Sequence, residues 1–68
     1  MKNHVLLTSL LLNLMENLYR IEELYTAGWA LIDESASKLT KEQCDERLQY
    51  YIGEGYNPNY LRAVPDND

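Results

Sequence analysis

Apolar residues recur at alternating intervals of four and three along the first half of the chain, and this spacing is the strongest constraint on its fold. Such a heptad pattern is typical of an α-helix that packs along one seam. It predicts one long helix over residues 2–35. The seam residues, which we expect to mediate self-association, are Leu7, Leu11, Leu14, Leu18, Ile21, Tyr25, Gly28 and Ile32.

The predicted helix carries more apolar surface than the rest of a 68-residue chain can cover. A second apolar stripe follows Leu10, Leu24 and Leu31, and residues 5–15 are apolar on nearly every side. A helix of this kind is buried on several faces. At about 1.5 Å per residue it would reach ~50 Å. We therefore expect a second copy to cover it, as a homodimer in parallel or antiparallel packing.

Gly28 is the only lapse in the seam. Glycine in a helix interior is about 1 kcal/mol less favourable than alanine. One interpretation is a kink or break in the helix near Ala27 and Gly28. The other is a close helix crossing, in which Gly28 gives clearance and Trp29 fills the space beside it. The sequence favours neither.

The segment that follows residue 38 contains the clearest local signal in the chain. Thr40 is a good N-cap residue and Gln43 stands three positions later, which is the spacing of a capping box. Leu39 and Cys44 occupy the two positions of a hydrophobic staple. Gly53 is placed to end the helix. We therefore predict a second helix over residues 41–52.

The C-terminal segment is expected to add little regular structure. Asn57 and Pro58 resemble an N-cap followed by proline at the first helical position, so a short turn or helix is predicted over residues 58–63. Residues 64–68 are expected to form a frayed acidic tail. The predicted fold class is all-α: a helical hairpin in one small domain, residues 1–68, dimerised into a helical bundle.

The N-terminus has some features of a targeting segment. Lys2 precedes an apolar run, residues 5–15, as in a secretory signal. The run is shorter than the about 20 residues needed to span a bilayer. Asn13, Glu16 and Asn17 stand where a small-residue cleavage site would be needed. With a single cysteine as well, we expect a cytoplasmic protein.

Charge and composition argue against several classes of function. A net charge of −5 argues against binding nucleic acid, whose phosphates attract basic proteins. His4 and Cys44 are the only residues of their types, and neither has an evident catalytic partner. Cys44 is either a thiol activated by the helix N-terminus or, as we favour, a buried apolar residue. We predict no enzyme activity, metal, cofactor or small-molecule substrate.

Tyrosine is unusually frequent near the end of the chain, which points to recognition of another protein. Four of the six tyrosines lie between residues 50 and 60, and phenylalanine is absent. Tyrosine and arginine are common in the energetic centres of protein interfaces. The alternative is that these tyrosines pack against the first helix. The predicted partner-binding residues are Arg47, Tyr50, Tyr51, Tyr56, Asn57, Tyr60 and Arg62.

These observations predict a small acidic, dimeric, helical module that binds a larger protein and inhibits or modulates it. Its general profile is similar to that of small phage- or plasmid-encoded inhibitors and antiactivators, although no motif identifies a family. One alternative is a structural subunit of a larger assembly. Association with a membrane surface is less favoured, because Lys2 is the only basic residue near the apolar segment.

Overall fold

The computed structural model describes residues 17–67. These residues form strand β1 (Tyr19–Tyr25), strand β2 (Gly28–Leu31), helix α1 (Lys41–Gly53), a 3₁₀ turn η1 (Pro58–Tyr60) and strand β3 (Leu61–Pro65). The strands make one antiparallel sheet in the order β2-β1-β3. The described part of the chain is therefore a mixed α and β fold, and the predicted all-α helical hairpin is wrong.

The long helix predicted over residues 2–35 is replaced, from Tyr19 onward, by the hairpin of β1 and β2. Within β1 the predicted seam is represented by Ile21 and Tyr25, whose spacing also fits a strand. Ile21 and Tyr25 are four residues apart, an even number, so they share one face of a strand. Ile32 donates a backbone hydrogen bond to the carbonyl of Ile21 at 3.1 Å, which brings these two seam residues together across the hairpin.

Gly28 marks the turn of this hairpin. The turn passes through Thr26 and Ala27, and Gly28 has a φ of 123°, a backbone conformation open to glycine and strained for other residues. Tyr25 and Gly28 are partners in the register of β1 and β2. Both helical interpretations of Gly28, the kink and the close crossing, are therefore wrong.

Strand β3 occupies the other edge of β1. Tyr19 pairs with Pro65, Ile21 with Ala63 and Glu23 with Leu61. The short turn or helix predicted over residues 58–63 is present as the turn η1 with Asn57 as its N-cap, and from Leu61 onward the chain is strand β3. Residues 64 and 65 belong to β3 and Asp66 is hydrogen-bonded to Leu18, so residues 64–66 do not form the frayed tail that was predicted.

Asp66 fastens the end of the chain to the start of β1. Its backbone N–H donates to the carbonyl of Leu18 at 2.9 Å, and its carboxylate accepts from the backbone N–H of Lys38 at 2.9 Å. The Lys38 N–H bond and the positive charges of Lys38 and Arg20 hold the pKa of Asp66 below its ordinary value. These bonds order the residues that were expected to fray.

The predicted second helix is confirmed as α1, together with its capping box. The Thr40 hydroxyl accepts from the backbone N–H of Gln43 at 3.2 Å, and the Gln43 side chain accepts from the N–H of Thr40 at 2.9 Å. Two N–H groups that a helix start leaves unpaired are thereby satisfied. Leu39 and Cys44, the predicted staple residues, are both buried.

The core lies between α1 and one face of the sheet. Ile21 is fully buried at its centre. Tyr19, Ile32 and Leu48 pack around the edge of this cluster. The buried residues of the core are Ile21, Ala36, Leu39, Cys44, Tyr51 and Leu61.

The opposite face of the sheet carries a charged cluster beside apolar side chains. Glu22, adjacent to Ile21 and so on the other face of β1, is only 7% exposed. Arg62 and Arg20 bond its two carboxylate oxygens, at 2.8 Å and 3.0 Å. The Arg62 guanidinium also lies 4.3 Å from the centre of the Trp29 ring.

Candidate functional site

The tyrosines of the predicted partner-binding set gather at the end of α1. The rings of Tyr50 and Tyr51 meet edge to face with centres 5.6 Å apart, and those of Tyr51 and Tyr56 do so at 5.3 Å. Edge-to-face contacts are a favourable arrangement of aromatic rings. The sequence prediction that Tyr50, Tyr51 and Tyr56 act together is consistent with this grouping.

The tyrosines of the group differ in how far their side chains are exposed to solvent. Tyr51 is 6% exposed and belongs to the core. Tyr50, Tyr56 and Tyr60 are 59%, 38% and 51% exposed. Tyr51 is therefore part of the core, whereas the rings of Tyr50, Tyr56 and Tyr60 are accessible to solvent.

The backbone after α1 turns Tyr56 back onto Tyr51. Gly55 has a φ of 106°, and its N–H donates to the carbonyl of Ile52 at 3.0 Å. The N–H of Tyr56 then donates to the carbonyl of Tyr51 at 3.1 Å. Bonds of this kind satisfy carbonyls that a helix end leaves unpaired. They also fix the direction in which Tyr56 projects.

Asn57 and η1 place Tyr60 beside Tyr56. The Asn57 side chain accepts from the backbone N–H of Asn59 at 2.9 Å, and the N–H of Tyr60 donates to the carbonyl of Asn57 at 2.9 Å. Pro58, with its fixed φ, begins the turn. Asn57 therefore contributes mainly by shaping this loop.

An open hollow of about 290 Å³ lies between this loop and β1. We call it the tyrosine hollow. It combines aromatic rings, two carboxylates and an amide. The residues that line it are Glu23, Glu54, Gly55, Tyr56, Asn57 and Tyr60.

The charge in the tyrosine hollow is negative. Glu23 and Glu54 both line it, and within residues 17–67 neither of them pairs with a basic side chain. Hydrogen bonding to Glu23, followed by burial and the Glu23 charge, raises the pKa of Tyr25, the last residue of β1.

Two arginines predicted to bind the partner lie away from the tyrosine hollow. Arg47, on α1, donates to the hydroxyl of Ser35 in the preceding segment at 3.0 Å and to the Tyr51 hydroxyl at 3.5 Å. Arg62 lies on the opposite sheet face with Glu22 and Trp29. The structure therefore does not bring Arg47 and Arg62 together with Tyr56 and Tyr60.

Sequence reasoning missed Glu23 and Glu54, the two carboxylates of the tyrosine hollow. Glu54 stands between two glycines just before Tyr56, a position that would have connected it with the tyrosines. Glu23 is distant in sequence and reaches the site only because β1 runs beneath the loop. No local pattern marks it.

The predicted self-association seam does not exist as a helical stripe in the described residues. Leu7, Leu11 and Leu14 lie outside those residues. Ile21 is fully buried within the chain, so it cannot contact a second copy. Gly28 is in a turn. The other members, Leu18, Tyr25 and Ile32, lie at or near the strands rather than along one helix.

Cys44 and the metal-ligating residue types can be examined in the part of the chain that the structure describes. Cys44 is free and buried, and burial raises the pKa of its thiol, with a smaller effect from the Asp45 charge. A buried thiol of raised pKa is a weak nucleophile. Among residues 17–67, the His, Cys, Asp and Glu side chains form no group of three able to hold a metal ion. His4 lies outside this range.

Membrane crossing can be tested on the same residues. In the part of the chain that the structure describes, no helix has both the length and the apolar character needed to cross a bilayer.

Comparisons of the chain with protein-family models, with curated proteins and with solved structures found no match. The candidate site is therefore argued from its own geometry.

Proposed function

We propose that this protein is a small interaction module that binds a larger protein through its tyrosine-rich end, and that it inhibits or modulates that protein by occupying one of its surfaces. The observation that carries the proposal is the exposure of Tyr50, Tyr56 and Tyr60 around the buried Tyr51. Tyrosines that are accessible and held in place are typical anchors of protein interfaces.

The hydrogen bonds of the loop support this function. The bonds of Gly55 and Tyr56 to the end of α1, and those accepted by Asn57, hold Tyr56 and Tyr60 in position. Binding by a preorganised surface loses less conformational entropy than binding by a mobile one. The proposal does not require a homodimer, because the residues that suggested one form strands in the described part of the chain. A cytoplasmic location remains part of the proposal.

The test is a pull-down from a lysate of the organism that encodes the protein. It compares the proteins captured by the tagged full chain with those captured by three single variants. Tyr56→Ala and Tyr60→Ala remove ring surface at the site. Gln49→Ala is the control, because Gln49 is an exposed residue of α1 outside the aromatic group. Thermal unfolding of each variant checks that the fold is intact.

We expect the wild type and Gln49→Ala to retain the same protein, and Tyr60→Ala and Tyr56→Ala to lose most of it. Tyr60→Ala should unfold at nearly the wild-type temperature, and Tyr56→Ala at a moderately lower one, because its ring packs against Tyr51. A single hot-spot tyrosine typically contributes about 2 kcal/mol or more to binding. If both tyrosine variants retain the same protein as strongly as the wild type, the tyrosine-rich end is not the binding surface.

A further inference from the structure

We infer that the tyrosine hollow receives an arginine side chain of the partner protein. This inference rests on the proposed function and names the chemistry of what binds. Its first support is the pairing of two carboxylates with two half-exposed rings, Tyr56 and Tyr60, around one hollow. A guanidinium group can bond carboxylates and stack on aromatic rings at once.

The second support is that the chain's own described cations are engaged elsewhere. Of its six lysines and arginines, Lys2 lies outside the described residues. Arg20 and Arg62 bond Glu22. Lys41 bonds Asp45, and Arg47 bonds Ser35. Lys38 bonds Asp66. Within residues 17–67, no basic side chain therefore pairs with the carboxylates of the hollow.

The third support is an arrangement of the same type within the chain itself. Arg62 donates from Nε to Glu22 Oε1 at 2.8 Å, its Nη2 lies 2.7 Å from the same oxygen, and its guanidinium lies 4.3 Å from the centre of the Trp29 ring. A carboxylate and an aromatic ring thus hold one guanidinium on the opposite sheet face. The tyrosine hollow presents the same two kinds of group without the arginine.

The size of the tyrosine hollow suits one side chain. Pockets for drug-sized molecules have volumes of about 300–1,000 Å³ and enclose most of the ligand. The tyrosine hollow, at about 290 Å³, is at the lower limit and is open to solvent. An arginine that projects from a partner can enter it, while the remainder of the partner contacts Tyr50 and the outer surface of α1.

The experiment is a titration of the ¹⁵N-labelled full chain, followed by amide chemical shifts, with three acetylated and amidated tripeptides. They have the sequences Gly-Arg-Gly, Gly-Lys-Gly and Gly-citrulline-Gly. Citrulline has nearly the shape of arginine but no charge. We expect the arginine peptide to shift the amides of Glu54, Tyr56 and Tyr60, the lysine peptide to bind more weakly, and the citrulline peptide to cause no shift there.

Charge variants then locate the binding. Glu54→Gln and Glu23→Gln each remove one carboxylate of the hollow. Glu34→Gln removes the same unit of charge from an exposed glutamate in the segment before α1 and is the control. We expect each hollow variant to weaken binding of the arginine peptide by about two- to fivefold, as for a partly exposed ion pair. Glu34→Gln is expected to leave it unchanged.

Several results would overturn the inference. Equal shifts with the citrulline peptide would show that charge is not recognised, and tighter binding of the lysine peptide would exclude a guanidinium site. Equal weakening by Glu34→Gln would indicate only general attraction to an acidic protein. If the arginine peptide fails to bind but Tyr60→Ala still loses the partner, the inference falls and the proposed function stands. If the peptide binds as expected but Tyr56→Ala and Tyr60→Ala retain the partner, the proposed function fails and the arginine site remains.

Discussion

Glu22 and Arg62 face each other across β1 and β3, and the two closest contacts between their side chains measure 2.7 Å and 2.8 Å. Glu22 is the one buried charged residue among residues 17–67. Arg20, on the other side, completes the set of bonds to its carboxylate. A buried charge is tolerated when it is paired in this way. The pair therefore connects the central strand to its C-terminal neighbour.

Replacing Glu22 by glutamine should destabilise the fold. Glutamine keeps the size of the side chain but removes the charge that both arginines bond, and leaves Arg20 with its weaker pairing to Asp66 at 3.5 Å. Both arginines are more than a third exposed, so water compensates in part. We expect the free energy of unfolding to fall by about 1–2 kcal/mol, measured by urea denaturation. The control Glu34→Gln is expected to change it by less than about 0.5 kcal/mol. Equal stability of the two variants would contradict the role given to Glu22.

The same carboxylate should make stability depend on pH. Hydrogen bonds from Arg62, followed by those from Arg20, lower the pKa of Glu22 below its ordinary value of 4.5, despite the opposing effect of burial. A lowered pKa in the folded state stabilises the fold above the pKa of the unfolded chain, and this stabilisation is lost as the pH falls through the folded-state pKa. We therefore expect the unfolding temperature to decrease below about pH 4.5. The decrease should be smaller in Glu22→Gln, and identical pH profiles would exclude Glu22 as a cause.

Two glycines test the hairpin directly. Gly28→Ala should lower the free energy of unfolding by about 1–2 kcal/mol, because its φ of 123° is strained for alanine. Gly53→Ala is the matched control in α1, where an added Cβ meets no atom within 4 Å. It should be neutral or stabilise by up to about 1 kcal/mol. Stabilisation by Gly28→Ala would instead favour a helix at this position.

The sequence was sufficient for α1 because its signals are local. Thr40 and Gln43 bond each other within one turn, and Gly53 stands where the helix ends. The hairpin was missed because intervals of three and four cannot by themselves separate a helix from two short strands. Gly28 was the discriminating residue. A glycine between two apolar runs is also typical of a hairpin turn.

Strand β3 and the tyrosine hollow were less accessible to sequence reasoning. The pairing of Ile21 with Ala63 joins residues far apart in the chain, and no local pattern specifies it. The grouping of Tyr50, Tyr51 and Tyr56 could be predicted because they are close in sequence. The contribution of Glu23 could not, since it depends on the position of β1 beneath the loop.

The division of the tyrosines into core and surface gives the last prediction. Tyr51→Ala removes a buried ring from the core, a change that typically lowers the free energy of unfolding by about 3–5 kcal/mol. At about 0.05–0.15 kcal/mol per residue, a chain of 68 residues has a total stability of about 3–10 kcal/mol, so this variant should lose a third or more of it. Tyr60→Ala, whose ring is half exposed, should change the free energy of unfolding by less than about 0.5 kcal/mol. Far-ultraviolet circular dichroism during urea denaturation measures both. A folded Tyr51→Ala of near-normal stability would remove Tyr51 from the core, whereas a severe loss in Tyr60→Ala would mean that its ring supports the fold rather than a partner.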